Sequence, residues 1–183
     1  MKKFLGGFLI VGTLFLCGTV FADEIHEAVK TGKLVKVASL LEKDSSSVNK
    51  LDSDGWTPLS IAIVNGEKEV VELLLKKGAD AKFQDKDGFT PLHWASIHGL
   101  RDIAEILISK GADVNAKEKN GFSPLHAAIG EGNTGIVELL IAKGADLNLR
   151  VKSPEAKDYT PLQLAEEQGL NEIVALLKAK GAK

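Results

Sequence analysis

DGFTPLHWA, residues 87–95, decides how the rest of the chain is read. The same design stands 33 residues earlier as DGWTPLSIA, from Asp54, and 33 residues later as NGFSPLHAA, from Asn120. A fourth copy, KDYTPLQLA, begins at Lys157, 37 residues on. A second marker keeps the beat: Gly78, Gly111 and Gly144 each open GAD, and Gly181 opens GAK. Gly66, Gly99, Gly132 and Gly169 recur at the middle of each unit. Self-similarity at a fixed period of this size marks a protein built of stacked repeats.

Each unit reads as two short helices. The Asp-Gly or Asn-Gly pair suits a tight hairpin turn. Thr90 is placed to cap a helix that starts at Pro91, where the missing N–H of proline costs nothing. That helix is expected to run to about His98, with a second from about Arg101 to Lys110, stopped by Gly111. The second helices share one pattern: VVELLL (70–75), IAEILI (103–108), IVELLI (136–141) and IVALLK (173–178). Apolar residues at i, i+3 and i+4 form a stripe that one short helix cannot bury, so neighbouring units must cover it.

On these residues the chain resembles the ankyrin repeat family, whose signature is TPLH-x-A at a period of 33. TPLHWA (90–95) matches in full; SPLHAA (123–128), TPLSIA (57–62) and TPLQLA (160–165) come close. The resemblance implies an all-α solenoid of stacked antiparallel helix pairs, with β-hairpin fingers projecting to one side. Residues 24–51 have the two-helix pattern without the motif and read as an N-terminal cap repeat. Full repeats follow at 52–84, 85–117 and 118–150, then an insertion at 151–154 and a C-terminal repeat at 155–183. The polar ending KAKGAK suits a terminal unit with a solvated outer face.

Residues 1–22 differ from this repeat domain of 23–183. Lys2 and Lys3 precede FLGGFLIVGTLFLCGTVFA, which carries no charge. A basic start, an apolar stretch and small residues at Val20 and Ala22 read as a secretory signal cut after Ala22. An uncleaved anchor is the alternative, since 19 uncharged residues are long enough to span a bilayer. Cleavage removes Cys17, the only cysteine, and with Lys2 and Lys3 gone the net charge moves from −2 to −4. The expected location is the periplasm, with a secreted or membrane-anchored protein as the alternative. Charges of both signs are interspersed, which excludes the footprint of a nucleic-acid binder.

His93 and His98 raise the question of chemistry. Five residues on a helix set two side chains about 140° apart, on different faces. Two ligands on one helix need a spacing such as i, i+4. His93 recurs as His126, but equivalent positions on helices about 8–10 Å apart do not normally share a zinc, whose bonds to nitrogen are about 2 Å. The family resemblance implies instead that this histidine bonds the motif hydroxyl and a neighbouring loop, His93 with Thr90 and His126 with Ser123. Ser60 and Gln163 fill the slot elsewhere, so it does not require an imidazole. His98 is expected to be exposed, and His26 belongs to the cap. Glu72, Glu105 and Glu138 recur at one helix position and read as a solvated row beside nearby lysines. No catalytic residue, metal ligand or cofactor site emerges.

The resemblance implies binding through the finger tips and the exposed face of the first helices. Trp56, Phe89, Phe122 and Tyr159 hold one position there in four successive units. Such rings either anchor a partner or stiffen the row by packing on the next finger. Val64 and Asn65, Ile97 and His98, Gly130 and Glu131, and Glu167 and Gln168 vary on the same face. Trp56, Val64, Asn65, Phe89, Ile97, His98, Phe122, Glu131 and Tyr159 are therefore the candidate contact residues. The expected function is a non-enzymatic, monomeric scaffold for a protein partner, with no nucleic acid or small-molecule substrate, and with a membrane involved only through the signal segment. The alternatives are a membrane-tethered adaptor with an uncleaved anchor and, behind it, a metal-dependent or enzymatic protein on the same repeat frame. RVKSPEAKD (150–158) carries the four extra residues, lacks the Gly turn, and reads equally as a binding loop or as a tolerated surface insertion.

Overall fold

The computed structural model describes residues 24–151 and 159–183. The signal segment, its cleavage site and residues 152–158 lie outside the described residues. Helix α1 covers 24–30. After it come α2 (Leu34–Lys43), a 3-10 turn (Ser45–Asn49), α3 (Pro58–Val64), α4 (Lys68–Lys76), α5 (Pro91–Ile97) and α6 (Arg101–Ser109). The chain closes with α7 (Pro124–Gly130), α8 (Thr134–Ala142), α9 (Pro161–Glu167) and α10 (Asn171–Ala179). The inner helices α3, α5, α7 and α9 stack on one another, the outer helices α2, α4, α6, α8 and α10 do the same, and each inner helix packs on its own outer partner.

The inner helices start where the motif predicts. Thr57 Oγ1 accepts from Ser60 N at 3.1 Å, and proline opens each helix. In α9 the exchange is reciprocal: Gln163 N donates to Thr160 Oγ1 at 3.3 Å and Thr160 N donates to Gln163 Oε1 at 3.0 Å. Two otherwise orphaned N–H groups are satisfied this way. The outer helices bury their stripe between neighbours: Val70, Val71, Leu74 and Leu75 in α4, Ile103, Ala104 and Leu107 in α6, Ile136, Val137, Leu139 and Leu140 in α8. Most of these side chains are almost wholly buried, and none can be so in an isolated helix pair.

The expected β-hairpin fingers are tight turns instead. Among the described residues the single piece of β pairing is the antiparallel bridge between Val151 and Tyr159. The reason is length: each of the first three fingers closes on a five-residue loop, with no residues left to extend a ladder. Val151, counted above as the first inserted residue, stands 33 residues after Glu118 and takes the same finger-base place, bonded to Tyr159 as Glu118 is to Phe122. The four extra residues therefore fall between Val151 and Tyr159.

A second 33-residue rhythm ties repeats together at the far side. Asn49 Nδ2 donates to Gly78 O at 3.1 Å and Asn49 Oδ1 accepts from Asp80 N at 2.9 Å. Asn115 makes the same pair of bonds to Gly144 O and Asp146 N, and Asn148 Oδ1 accepts from Lys183 N. Lys82 stands in this register and has no acceptor to offer. Lys82→Asn should complete the row and raise stability by about 1 kcal/mol, for two exposed hydrogen bonds. A melting temperature about 2–4 °C higher is the expected result; an unchanged or lower one would show the row to be decorative.

The last repeat is dressed for solvent. Where the preceding unit buries Ile129 and half-buries Ile141, it carries Glu166 and Lys178, which pair at 2.7 Å. No helix among the described residues is long and apolar enough to cross a membrane.

Candidate functional site

Each of the first three fingers is locked by an acid at its base. Asp52 Oδ1 accepts from Asp54 N at 3.0 Å and Trp56 N at 2.9 Å. Asp85 Oδ1 does the same for Asp87 N and Phe89 N, both at 2.9 Å. Glu118 Oε1 accepts from Asn120 N at 2.8 Å and Phe122 N at 2.9 Å, while Oε2 takes Asn120 Nδ2 at 3.1 Å. Glu118 is only 5 % exposed, and these three donors compensate its burial. The sequence reading passed over these acids, although D-x-D-G-W, D-x-D-G-F and E-x-N-G-F carry the signal four residues before each aromatic ring. In the fourth finger Val151 holds the place and offers no carboxylate.

The second and third fingers are also knit to each other. Lys119 N donates to Asp87 O at 3.0 Å, and Gln84 Nε2 reaches both Gly88 O and Lys117 O at 3.3 Å. Gly88 faces this seam so closely that a β-carbon would lie 3.0 Å from the backbone of Glu118 and Lys119. The finger tips here form one rigid wall.

The motif histidines serve the frame. His93 Nδ1 accepts from Thr90 N at 3.1 Å and bonds Thr90 Oγ1 at 2.8 Å. Its proton therefore sits on Nε2, which donates to Phe122 O of the next finger at 3.1 Å. His126 Nδ1 engages Ser123 in the same way, at 3.3 Å from N and 2.9 Å from Oγ. Among the described residues its buried Nε2 makes no hydrogen bond of ordinary geometry, although the backbone of Leu149 and Tyr159 beside it favours the charged ring. The residue that matches Phe122 is Tyr159, and its carbonyl accepts instead from Val151 N at 3.0 Å. Burial holds both imidazoles neutral: it lowers the pKa of His93, and it takes that of His126 from 6.5 to about 4. His98 is exposed, and His26 is buried in the cap with Nε2 3.0 Å from Lys50 O.

Seven of the nine candidate contact residues, all but His98 and Tyr159, fall into two recesses joined by a residue the sequence reading missed. Trp56, Val64 and Asn65 line a pocket of about 230 Å³ with Asp54. Phe89, Ile97, Phe122 and Glu131 line an open groove of about 680 Å³ with Leu164 at its far end. Trp94 stands between them, 4.9 Å from the Trp56 ring and 5.1 Å from that of Phe89, with His98 stacked at 6.5 Å. Phe89 and Phe122 meet His93 and His126 edge-on at 5.6 and 5.9 Å, so part of each ring stiffens its own repeat. All four finger rings remain half-buried, and Val64 is 36 % exposed. Tyr159 lies apart from both recesses, its hydroxyl 3.4 Å from Glu167, whose charge raises the phenol pKa.

The outer acids form no centre. Glu72, Glu105 and Glu138 are exposed, and Glu138 pairs with Arg101 at 3.6 Å rather than with a lysine. Among the described residues no group of three or more His, Cys, Asp or Glu side chains is placed to hold a metal ion. A family model for ankyrin repeats in three copies matches residues 25–118 and again 115–183. The chain belongs to the ankyrin repeat family. No curated protein matches it. Ankyrin repeats mediate protein–protein contacts and are typically non-enzymatic, and in this ankyrin repeat chain the inner helices and fingers supply both grooves.

Proposed function

We propose that this ankyrin repeat protein is a non-enzymatic, monomeric scaffold, exported to the periplasm, that holds a protein partner on its inner-helix face and finger tips. The observation that carries the reading is the groove of Phe89, Ile97, Phe122 and Leu164, whose walls are fixed by backbone bonds within and between fingers. A preformed apolar surface loses little conformational entropy on docking. The export reading rests on the sequence of residues 1–22, and a mature protein beginning at Asp23 is what N-terminal sequencing should find. An intact Met1 in the membrane fraction would favour the anchored form.

Crosslinking and pull-down from the native compartment test the binding face. Phe89→Asp and Ile97→Asp should each cut partner recovery by about tenfold or more, the effect of losing a central apolar anchor. Their circular dichroism should match the parent. Recovery that survives both substitutions would place the contact elsewhere.

A further inference from the structure

The groove has a charge preference as well as an apolar floor. The inner helices α3, α5, α7 and α9 contain no lysine or arginine; their charges are Glu166 and Glu167, and Glu131 follows α7. The groove itself is lined by three carboxylates, Asp87, Glu118 and Glu131, against one ammonium, that of Lys119. Lys119 already lies 3.6 Å from Asp87. Glu118 is turned into its finger, but its charge remains beside the floor. Glu131 is exposed at the C-cap of α7 and has no ion-pair partner among the described residues. Two negative charges are thus left over around Phe89, Ile97, Phe122 and Leu164.

We propose that this groove takes a cationic segment of the partner: an extended stretch in which lysine or arginine alternates with leucine, isoleucine or phenylalanine. The proposal rests on the binding face assigned above. The apolar side chains cover the floor between the two rings, and the cations meet Glu131 on one rim and the Asp87–Glu118 finger wall on the other. As the segment excludes water, the carboxylates act through a lower dielectric and their attraction grows. An acidic segment would meet repulsion on both rims, so the charges select as well as attract.

The test is selection of a phage-displayed library of random dodecapeptides on the purified full chain, at low and at physiological salt. Enriched sequences should carry lysine or arginine beside large apolar residues. They should bind about tenfold more weakly to Glu131→Lys, with a smaller salt dependence. That change leaves the fold intact, because a cation is favourable at the end of α7. Neutral or acidic winners that are lost with Phe89→Asp would overturn the charge preference and leave the binding face standing. Winners that ignore Phe89→Asp would overturn both, and so would an empty selection.

Discussion

Gly88→Ala is expected to cost about 3 kcal/mol, against about 1 kcal/mol for Gly55→Ala. The two glycines share one conformation, with φ of 87° and 88°, so an alanine pays the same left-handed penalty at either site, about 1 kcal/mol. They differ in what surrounds them. Nothing lies within 4 Å of a β-carbon at position 55, whereas at 88 it would press on Glu118 Cα and Lys119 N, each at 3.0 Å. Those atoms are backbone and cannot swing aside. Relief means moving the third finger, which strains the Lys119 N–Asp87 O bond and the turn that Glu118 holds. Strain of this kind in a packed site typically costs about 1–3 kcal/mol. Melting temperatures should fall by roughly 9 °C for Gly88→Ala and roughly 3 °C for Gly55→Ala. Equal losses would show that the third finger retreats freely. Because Asp87, Glu118 and Lys119 also line the groove, Gly88→Ala should weaken peptide binding there and Gly55→Ala should not.

What could be read in advance was whatever repeats. The phase of DGFTPLHWA locates the inner helices to within a residue, because proline at the first turn and a hydroxyl before it are local signals. The family resemblance implied the frame role of His93, and its partners are Thr90, three residues away, and the Phe122 carbonyl one repeat on. Trp94 was missed because it stands at the variable position of the motif, and its contacts with Trp56 and Phe89 come from one repeat leaning on the next. A period reports which positions recur, not which unlike side chains meet across the seam. The turns in place of hairpins have a local origin: Asp-Gly predicts a reversal, but the helix cap directly after each ring, Thr57, Thr90 or Ser123, leaves no residue to extend a ladder. The fate of His126 was hidden as well. Its sequence context matches that of His93, yet the Tyr159 carbonyl, which stands where that of Phe122 does, accepts from Val151 N, and among the described residues His126 Nε2 has no acceptor of ordinary geometry.

Burial of the His126 ring yields the second large effect, seen as a function of pH. In the folded chain His126 has a pKa of about 4, against 6.5 for the free side chain. Burial is the main cause; the backbone of Leu149 and Tyr159 and the Asp146 carboxylate pull the other way and do not offset it. Above pH 6.5 both the folded and the unfolded chain hold the ring neutral, and its contribution is fully present. Between pH 6.5 and pH 4 the unfolded chain takes up a proton that the folded chain refuses, so stability falls, by about 3 kcal/mol in total. Below pH 4 the folded ring protonates too and the loss levels off. His93, shifted in the same direction, adds to the slope. Gln163 shows how to remove the effect, since its amide caps Thr160 without a titrating group. His126→Gln should therefore keep the α7 cap, stay within about 1 kcal/mol of the parent at pH 7, and lose markedly less stability on acidification. Urea unfolding midpoints measured from pH 7 to pH 4 give the comparison, and the difference between the two proteins cancels the carboxylates they share. Curves that run parallel would mean that water reaches the ring in solution, which would remove the burial from which the effect arises.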